Sequence, residues 1–330
     1  MFDENWIVLL SAVAVAFSVL SYVLLDGTDL GVGMLMGLTR DSDHRRAMAV
    51  TILPIWDANE TWLVLGGGGL LALFPLAYAL ILPALYLPFI VMFLALILRA
   101  LALEFRDYSA SVSIKQGVDA ALLCGSLLAA ACQGIVLGTL VAGIPDSAGQ
   151  YVGDGSEWRS TFPLFCGGVL VFGYIWLGAC WLYWRTVDEL QRRSACQARV
   201  FAIITMILLL ILLKWTTTLS PHYAARLSQP LLWVPLLSAL VILLTVFTFG
   251  FRRQFSYLPL FAALGIFVLA FATMVVALYP LIVPPKLTLQ DAASSPTSQV
   301  FMLVGFAVLI PVTLLYNTYG FRVFSGKVRT

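Results

Sequence analysis

Two pairs of acidic side chains lie in apolar stretches of this chain that are long enough to span a membrane. Asp26 and Asp29 are three residues apart, as are Asp57 and Glu60, so each pair projects from one face of a helix. A charge inside a membrane is costly unless it has a partner, a cavity or a bound proton. We interpret the first pair as a proton-carrying or ion-pairing face, or else as carboxylates that cap neighbouring helices.

The surroundings of the second pair add further polar groups at the same level. Trp56 lies one turn before Glu60, Asn59 adds an amide, and Pro54 can loosen the helix below. From a helix start near residue 48, Asp57 lies about 13 Å along the axis, roughly a third to a half of the way through a hydrocarbon core of about 30 Å. This depth favours a functional role, with a structural hydrogen-bond hub as the alternative.

Arginines follow at the end of the third apolar run, beside two further acids, Glu104 and Asp107. Arg99 and Arg106 are seven residues apart and share a helix face. We expect them to pair with the four acids above or to meet lipid phosphates. A structural ion-pair network is the favoured interpretation over a direct role.

The composition indicates what kind of elements position these groups. Of 330 residues, 61% are apolar and 11% charged, and the mean hydropathy is +0.96. An ordinary soluble domain is about 45–50% apolar and about 25% charged. These values exclude a soluble globular enzyme, a disordered protein and a nucleic-acid binder, and they predict an all-α polytopic membrane protein.

Nine apolar runs predict nine transmembrane helices, in two four-helix groups plus one additional helix, within a single membrane domain of residues 1–330. Pro75 separates the second run from the third, because proline favours helix starts. Glycines at spacings of four in 27–37, and the run 66–69, predict close helix contacts. The spans are expected near 7–37, 48–74, 76–98, 118–142, 163–184, 200–219, 231–250, 257–280 and 300–321.

The arginines and lysines are distributed unequally between the two sides of the membrane. Fifteen of the nineteen lie after odd-numbered spans, and three lie at the N-terminus or after even-numbered spans. Cytoplasmic loops are enriched in these residues, so the N-terminus is predicted to be periplasmic and the C-terminus cytoplasmic.

Histidine and cysteine do not form a pattern that would hold a metal or a haem. His44 and His222 are predicted on opposite sides of the membrane, so they cannot ligate one haem together. The five cysteines contain no CxxC pair, which argues against a zinc or iron–sulfur site.

Three motifs in the first third of the chain carry a resemblance to a known family. They are LDGTDLGVG at 25–33, WDANETWL at 56–63 followed by Phe74-Pro75, and LRALALEFR at 98–106. In order and spacing they resemble subunit II of the cytochrome bd-type quinol oxidases, over residues 20–107. The length is similar to the shorter form of the subunit, which includes that of the cyanide-insensitive type. Thr28 departs from the large residue that the family often has there.

The resemblance implies a haem-free, multi-pass subunit of an oxidoreductase in a bacterial inner membrane. Its partner, subunit I, would hold haem b558, haem b595 and haem d, oxidise ubiquinol and reduce dioxygen to water, building a proton motive force without pumping. Some family members hold a structural ubiquinone in subunit II. Membrane lipids, quinol and a small single-span accessory subunit are the other expected partners, and nucleic acid is not.

The resemblance also implies roles for individual residues. The acid that matches Asp57 lies on the family's proposed cytoplasmic proton path, and we assign Glu60 to the same path. The supporting polar network is expected to comprise Trp56, Asp26, Asp29, Asn59, Arg99 and Glu104.

Two other classes of function compete with this interpretation. An ion-coupled secondary transporter could use the same four acids, but such transporters often show broken helices in two repeated halves. Here the acidic, glycine-rich signature occurs only in the first half. A purely structural subunit that stabilises its partner is the second alternative.

Overall fold

The computed structural model describes residues 4–108, 111–147, 149–252, 256–324 and 326–329, and most of them are helical. This part of the chain forms thirteen α-helices. They are α1 (Glu4–Gly37), α2 (Ser42–Ile52), α3 (Trp56–Leu73), α4 (Pro75–Ala84), α5 (Tyr86–Phe105), α6 (Val112–Ala142), α7 (Thr161–Arg185), α8 (Asp188–Leu219), α9 (Pro221–Leu227), α10 (Pro230–Arg252), α11 (Leu258–Leu278), α12 (Leu289–Ala292) and α13 (Pro296–Val323).

Eight helices in the described ranges are long and apolar enough to cross a membrane: α1, α5, α6, α7, α8, α10, α11 and α13. The sequence predicts nine spans, and the candidate missing from this set is α3. It has only 18 residues, so any stretch of that length includes Asp57, Asn59 and Glu60 of its first turns, which keeps α3 out of the set. The polytopic helical architecture is therefore present, and a ninth span stays a prediction.

The predicted helix over 48–74 is wrong, because the chain breaks within it. α2 ends at Ile52, a turn occupies 53–55, and α3 begins at Trp56. Pro54 lies in this turn, and its missing backbone N–H cannot continue a helical ladder. Asp57 therefore lies in the first turn of α3. The predicted depth of about 13 Å along a continuous helix from residue 48 is wrong, because that helix is interrupted.

The third predicted span is also displaced along the chain. A helix break at Leu85 separates the ten-residue α4 from α5, which extends to Phe105 instead of ending near residue 98. Arg99 consequently lies inside α5, six residues before its end, and not at a helix terminus. A cation at this position is surrounded by neighbouring helices, which explains why it is only 2% exposed.

The core of the described fold is centred on α7. Two thirds of its apolar window, 67%, is buried inside the protein, against 6% for α10 and 11% for α13. α7 packs against α1, α6, α8 and α11. The fully buried Trp176 contacts Phe247 of α10 and Phe267 of α11. The weakly buried helices α10 and α13 lie at the periphery, where lipid or another protein can cover them.

The glycines of α1 allow α7 to approach at backbone distance. A Cβ atom added to Gly31 would lie 1.8 Å from the carbonyl oxygen of Tyr174, and one added to Gly178 would lie 2.4 Å from the carbonyl carbon of Gly31. Gly33 and Gly37 pack against the side chains of Ser126 and Leu123 in α6. The close-packing prediction is confirmed for 27–37, whereas in the run 66–69 it is wrong for Gly67 and Gly68, where an added Cβ atom would meet nothing within 4 Å.

The loops separate into two groups at opposite ends of the bundle. At one end, which we call the basic end, three contacts involve arginines: Val328 N to Arg185 O at 2.8 Å, Arg193 Nη2 to Leu38 O at 3.4 Å, and Arg45 Nη1 to Asp119 Oδ2 at 2.9 Å. The opposite end joins other loops: Ile144 N to Pro284 O, Ser294 N to Leu73 O, and Tyr223 Oη to Val141 O. Which of the two ends faces the cytoplasm stays a prediction.

Two small antiparallel hairpins lie in the loops of the opposite end. β1 (Asp146–Ser147) pairs with β2 (Gln150–Tyr151), and β3 (Leu281–Val283) pairs with β4 (Leu287–Thr288). The Tyr151 hydroxyl contacts the carboxylate of Glu157 at 2.8 Å, and partial desolvation together with this contact raises the pKa of Tyr151 to about 12.

Candidate functional site

Arg99 is the centre of a buried polar cluster formed by α1, α3 and α5. Its Nη1 atom donates to Asp26 Oδ1 at 2.7 Å, and its Nη2 atom donates to Glu60 Oε1 at 2.9 Å. Asp26 is fully buried and the Glu60 side chain is 27% exposed. Arg99 therefore contacts one acid of each predicted pair, Asp26 of the first and Glu60 of the second.

Asp29 joins the same cluster through an amide and not through the arginine. The Nδ2 atom of Asn59 donates to Asp29 Oδ2 at 2.7 Å, and both residues are 1% exposed. The other oxygen of Asp29, Oδ1, has no hydrogen-bond partner within the described structure. We call Asp26, Asp29, Asn59, Glu60 and Arg99 the Arg99 cluster.

Trp56 and Glu104 flank the cluster at the start of α3 and the end of α5. The indole Nε1 of Trp56 donates to Glu104 Oε1 at 3.2 Å. The guanidinium carbon of Arg99 lies 5.9 Å from the centroid of the Trp56 ring, within the range of a cation–π contact. Trp56 thus fixes the position of Arg99 relative to the first turn of α3.

Asp57 lies outside the Arg99 cluster although it precedes Glu60 by three residues. Its side chain is exposed, and the described residues offer it no hydrogen bond or ion pair. It shares the exposed face of α3 with Thr61, Val64 and Gly68. A Cβ atom added at Gly68 would meet nothing within 4 Å, so this face is smooth as well as exposed.

The charges of the Arg99 cluster do not balance. Asp26, Asp29 and Glu60 surround a single cation, and burial makes each uncompensated carboxylate costly. Arginine cannot lose its proton under physiological conditions, so an excess negative charge is relieved only by protonating a carboxylate. The arrangement is therefore one in which a carboxyl group can hold a proton.

A hydrogen-bonded chain that the sequence analysis did not identify begins beside this cluster. Tyr174 Oη donates to Gln133 Oε1 at 2.7 Å, and Gln133 Nε2 donates to Tyr22 Oη at 2.9 Å. Tyr22 lies one helical turn before Asp26. These residues come from three helices in an apolar background, and the only sequence signal was a glutamine within the fourth apolar run.

A second ion-pair cluster lies nearer the basic end and was only partly expected. Arg106 Nε donates to Asp119 Oδ1 at 2.7 Å, and Arg45 Nη1 lies 2.9 Å from Asp119 Oδ2. Asp107 lies 3.8 Å from Arg106 and is largely exposed. Arg106 was predicted in a network, but its partner is Asp119 and not one of the four membrane acids. We call Arg45, Arg106 and Asp119 the Asp119 cluster.

The histidine and cysteine residues supply no metal centre in the described part of the chain. No group of three or more His, Cys, Asp or Glu side chains is arranged to hold a metal ion there. His44 belongs to α2 at the basic end, and His222 belongs to α9 at the opposite end. The two imidazoles are therefore too far apart to ligate one haem.

A large apolar cavity lies away from the Arg99 cluster, between α6, α7, α8, α10 and α11. Its volume is about 290 Å³, and Gly138, Cys166, Leu209 and Leu240 are among its lining residues. Thr205 also lines it, is 1% exposed, and its hydroxyl has no partner among the described atoms. The cavity suits an apolar molecule or chain that carries a hydrogen-bonding group.

Comparison with known proteins gives consistent matches over nearly the whole length. The family described as "Cytochrome bd terminal oxidase subunit II" matches residues 7–324. The chain is 27% identical to "Cytochrome bd-I ubiquinol oxidase subunit 2" of Escherichia coli strain K12, over 98% of this chain and 94% of that protein. It is 26% identical to "Cytochrome bd ubiquinol oxidase subunit 2" of Bacillus subtilis, over 98% and 96%.

A solved structure shares the fold. A chain of "The structure of bd oxidase from Geobacillus thermodenitrificans" superposes with a TM-score of 0.81, covering 96% of this chain and 98% of that one at 17% sequence identity. At this identity the likeness supports the arrangement of helices and not individual residue roles.

Proposed function

Since the chain belongs to the cytochrome bd terminal oxidase subunit II family, we propose that it is the haem-free subunit II of a bd-type ubiquinol oxidase. In this proposal it stabilises a haem-bearing subunit I and contributes to a cytoplasmic proton path, while the complex reduces dioxygen to water in the aerobic respiratory chain. The observation that carries the proton-path assignment is the surplus of buried carboxyl groups in the Arg99 cluster.

The exposed face of α3 is the proposed contact with subunit I. A carboxylate that faces lipid is costly, so the side chain of Asp57 requires a covering protein or water. Val64 on the same face is 72% exposed, and Gly67 and Gly68 offer no side chains that would hold a neighbouring helix away. A helix of subunit I placed here would enclose Asp57 between the two subunits.

Two carboxyl groups then divide the proton path. Asp57 takes up protons at the subunit boundary, and Glu60, one turn further and partly exposed, passes them to Asp26 and Asp29, the buried carboxyl groups of the Arg99 cluster. Trp56, Asn59 and Glu104 hold these groups in position and do not themselves carry protons.

The redox chemistry belongs to the partner in this proposal. Haem b558, haem b595 and haem d need axial ligands such as histidine or methionine, and the two histidines here lie at opposite ends. The complex is electrogenic without pumping, because the protons consumed at the haems come from the cytoplasm. A small single-span accessory subunit would contact the peripheral helices.

The apolar cavity fits the structural ubiquinone that some family members carry. Its lining is almost entirely aliphatic and aromatic, which suits an isoprenoid chain, and the unpartnered Thr205 hydroxyl can donate to a quinone carbonyl oxygen. The residues that would hold the ring or the chain are Thr205, Tyr223 and Trp233. This quinone would be a structural component and not the substrate.

The sidedness of the chain follows from the same proposal. The basic end faces the cytoplasm of a bacterium and the opposite end faces the periplasm, so the N-terminus is periplasmic and the C-terminus cytoplasmic. The family match also favours the oxidase subunit over the ion-coupled transporter. A transporter would take up solute when the purified chain alone is placed in liposomes.

The test is Asp57→Asn in the complete complex, with Asp57→Glu as the matched control. We expect Asp57→Asn to lower ubiquinol oxidation by about tenfold or more, a smaller effect than the roughly 10²–10⁴-fold contribution of a general acid or base that acts on the reacting atoms. Asp57→Glu retains a carboxyl group and most of the rate. Oxygen consumption and the haem spectrum are measured on the same sample. Normal oxygen consumption with intact haems would contradict the proton-path role.

A further inference from the structure

A cleft between the start of α3 and the end of α13 leads from the surface towards the Arg99 cluster. Its volume is about 250 Å³, enough for several water molecules. Its lining includes Pro54, Ala58 and Asn59 from the α3 side and Asn317 and Gly320 from α13. We call it the α3–α13 cleft.

Two buried amides that line this cleft lack hydrogen-bond partners in the described structure. Asn317 is 6% exposed, and neither its Oδ1 nor its Nδ2 atom has a partner. Asn59 is 1% exposed, and its Oδ1 atom is also without a partner. Leaving a buried polar group unsatisfied costs about 1–3 kcal/mol, so three such atoms beside one cavity favour water within it.

The cleft connects to a buried carboxyl group through Asn59. This side chain contributes to the cleft wall and at the same time donates from Nδ2 to Asp29 Oδ2. Asp29 Oδ1 is unpartnered, so it can bind a proton or a water molecule. The charged and polar groups that interact with Asp29 are Asp26 of α1, Asn59 and Glu60 of α3, and Arg99 of α5.

The outer part of the cleft lies at the basic end of the bundle. Val323 and Phe324 line it, and Arg185 donates from Nη2 to the carbonyl oxygen of Phe324. Arg185 ends α7, and Arg192 and Arg193 follow in the first turns of α8. The cleft therefore begins on the side from which the oxidase reaction draws its protons.

We propose that the α3–α13 cleft is a water-filled proton entrance to Asp29, separate from Asp57, and that Asn317 is the positioning residue for its water. The proposal rests on the proposed role of this chain in proton supply. A proton from the cytoplasmic solution is relayed through the cleft water to the Asp29 carboxylate, so the cleft water is left neutral. The cluster later releases one proton towards the partner, so the cycle leaves its charge unchanged.

The first experiment compares Asn317→Leu with Asn317→Ser in the complete complex. Leucine has a similar size but no hydrogen-bonding atoms, whereas serine retains a polar group and leaves room for water. We expect Asn317→Leu to lower oxygen consumption by about fivefold or more, with a larger loss at higher pH where protons are scarcer, and Asn317→Ser to retain most of the rate. The haem spectrum of each variant confirms assembly.

The second experiment measures access to the cleft directly and does not depend on activity. A Cβ atom added at Gly320 meets nothing within 4 Å, so Gly320→Cys places a thiol in open space at the cleft. Gly305→Cys, on the same helix with the same open space, is the control about 22 Å away. The exposed Cys124 and Cys196 are first replaced by serine.

A charged thiol reagent applied to inside-out membrane vesicles should label Gly320→Cys and leave Gly305→Cys unlabelled. Failure to label Gly320→Cys, or an unchanged rate and pH profile in Asn317→Leu, would overturn the proposal. If the proposed proton path as a whole is wrong, Asp57→Asn and Asp29→Asn will also leave turnover unchanged. Loss of turnover in those two variants with a normal Asn317→Leu would reject the cleft alone.

Discussion

The Arg99 cluster and the Asp119 cluster use the same residue types in opposite proportions. The first holds three carboxyl groups and one guanidinium, which pairs with two of them, whereas in the second two guanidinium groups share one buried carboxylate. The single carboxylate of the second cluster is compensated by two permanent cations. An excess negative charge in the first is relieved only by a bound proton, which is the role that we propose for it.

The position of each cluster matches this difference. Asp119 is 4% exposed and Arg45 is 18% exposed, near the loops of the basic end, where water can reach one side of the pair. Arg99 is 2% exposed within α5, under the packed face of α1. The Asp119 cluster, with its excess of arginine, joins helices near the basic end, whereas the Arg99 cluster in the interior has the excess of carboxyl groups that our proposed proton path requires.

The largest expected effect is that of Arg99→Met. Removing the single cation leaves Asp26 and Glu60 buried without it, and breaking such a buried pair costs about 3–5 kcal/mol. We expect a large loss of assembled, haem-bearing complex, measured by yield and thermal unfolding in mild detergent. Arg45→Met is the control, because Arg106 remains beside Asp119. If Arg99→Met and Arg45→Met are equally stable, the two clusters do not differ in their dependence on one cation, and the comparison is wrong.

Asp119→Asn should have an intermediate effect, limited to stability. It removes the shared anion of Arg45 and Arg106, and hydrogen bonds to charged groups contribute about 1.5–3 kcal/mol. Thermal unfolding should shift downward while turnover per haem stays normal. A loss of turnover per haem without a loss of stability would give this cluster a role in proton supply and contradict the comparison.

Asp29→Asn should lower turnover with little effect on stability, which is the reverse of the result expected for Asp119→Asn. The substitution replaces a carboxyl group by a neutral group of the same shape, so stability should change by less than about 1 kcal/mol if Asp29 is protonated. Turnover should fall because the amide cannot pass on a proton. A destabilisation comparable to that of Arg99→Met would show that Asp29 is ionised, and the charge accounting above would then be wrong.

The smallest effect is expected for Trp56→Phe. It retains a ring beside Arg99 but removes the indole donor to Glu104, a contact worth about 0.5–1.5 kcal/mol. Glu104 is exposed at the end of α5, so water can replace the lost donor. A slight fall in thermal stability with little change in turnover is expected. A loss as large as that of Arg99→Met would place Trp56 among the residues on which the cluster depends.

The sequence predicted the group of acids from which the partners of Arg99 come, but not which of them it contacts. Buried charges require partners and few were available, so Arg99 was expected to meet one of four acids or a lipid phosphate, and the structure shows Asp26 and Glu60. The pairing of Asp119 did not follow, because Arg106 had several acids within reach on the sequence evidence. Burial of Asp119 between two arginines depends on the angles at which α2, α5 and α6 meet.

The direction of the Asp57 side chain could not be predicted from the sequence, for a different reason. Spacing places Asp57 and Glu60 on one broad face of a helix, but it does not say where that face lies relative to α1. The turn at 53–55 sets this rotation by restarting the helix at Trp56. The proximity of the two cleft amides could not be predicted either, because Asn59 and Asn317 lie 258 positions apart in the chain.

The separation of Asp26 from Arg99 has a consequence for biosynthesis. The two residues are 73 positions apart, and the α1–α7 crossing at Gly31 and Gly178 joins segments still further apart. α1 therefore leaves the ribosome with two acids before their cation has been made. An aspartate near a helix centre opposes translocon insertion by about 3 kcal/mol. The apolar residues of α1 offset this at first, and α5 and α7 must dock before α1 reaches its final position.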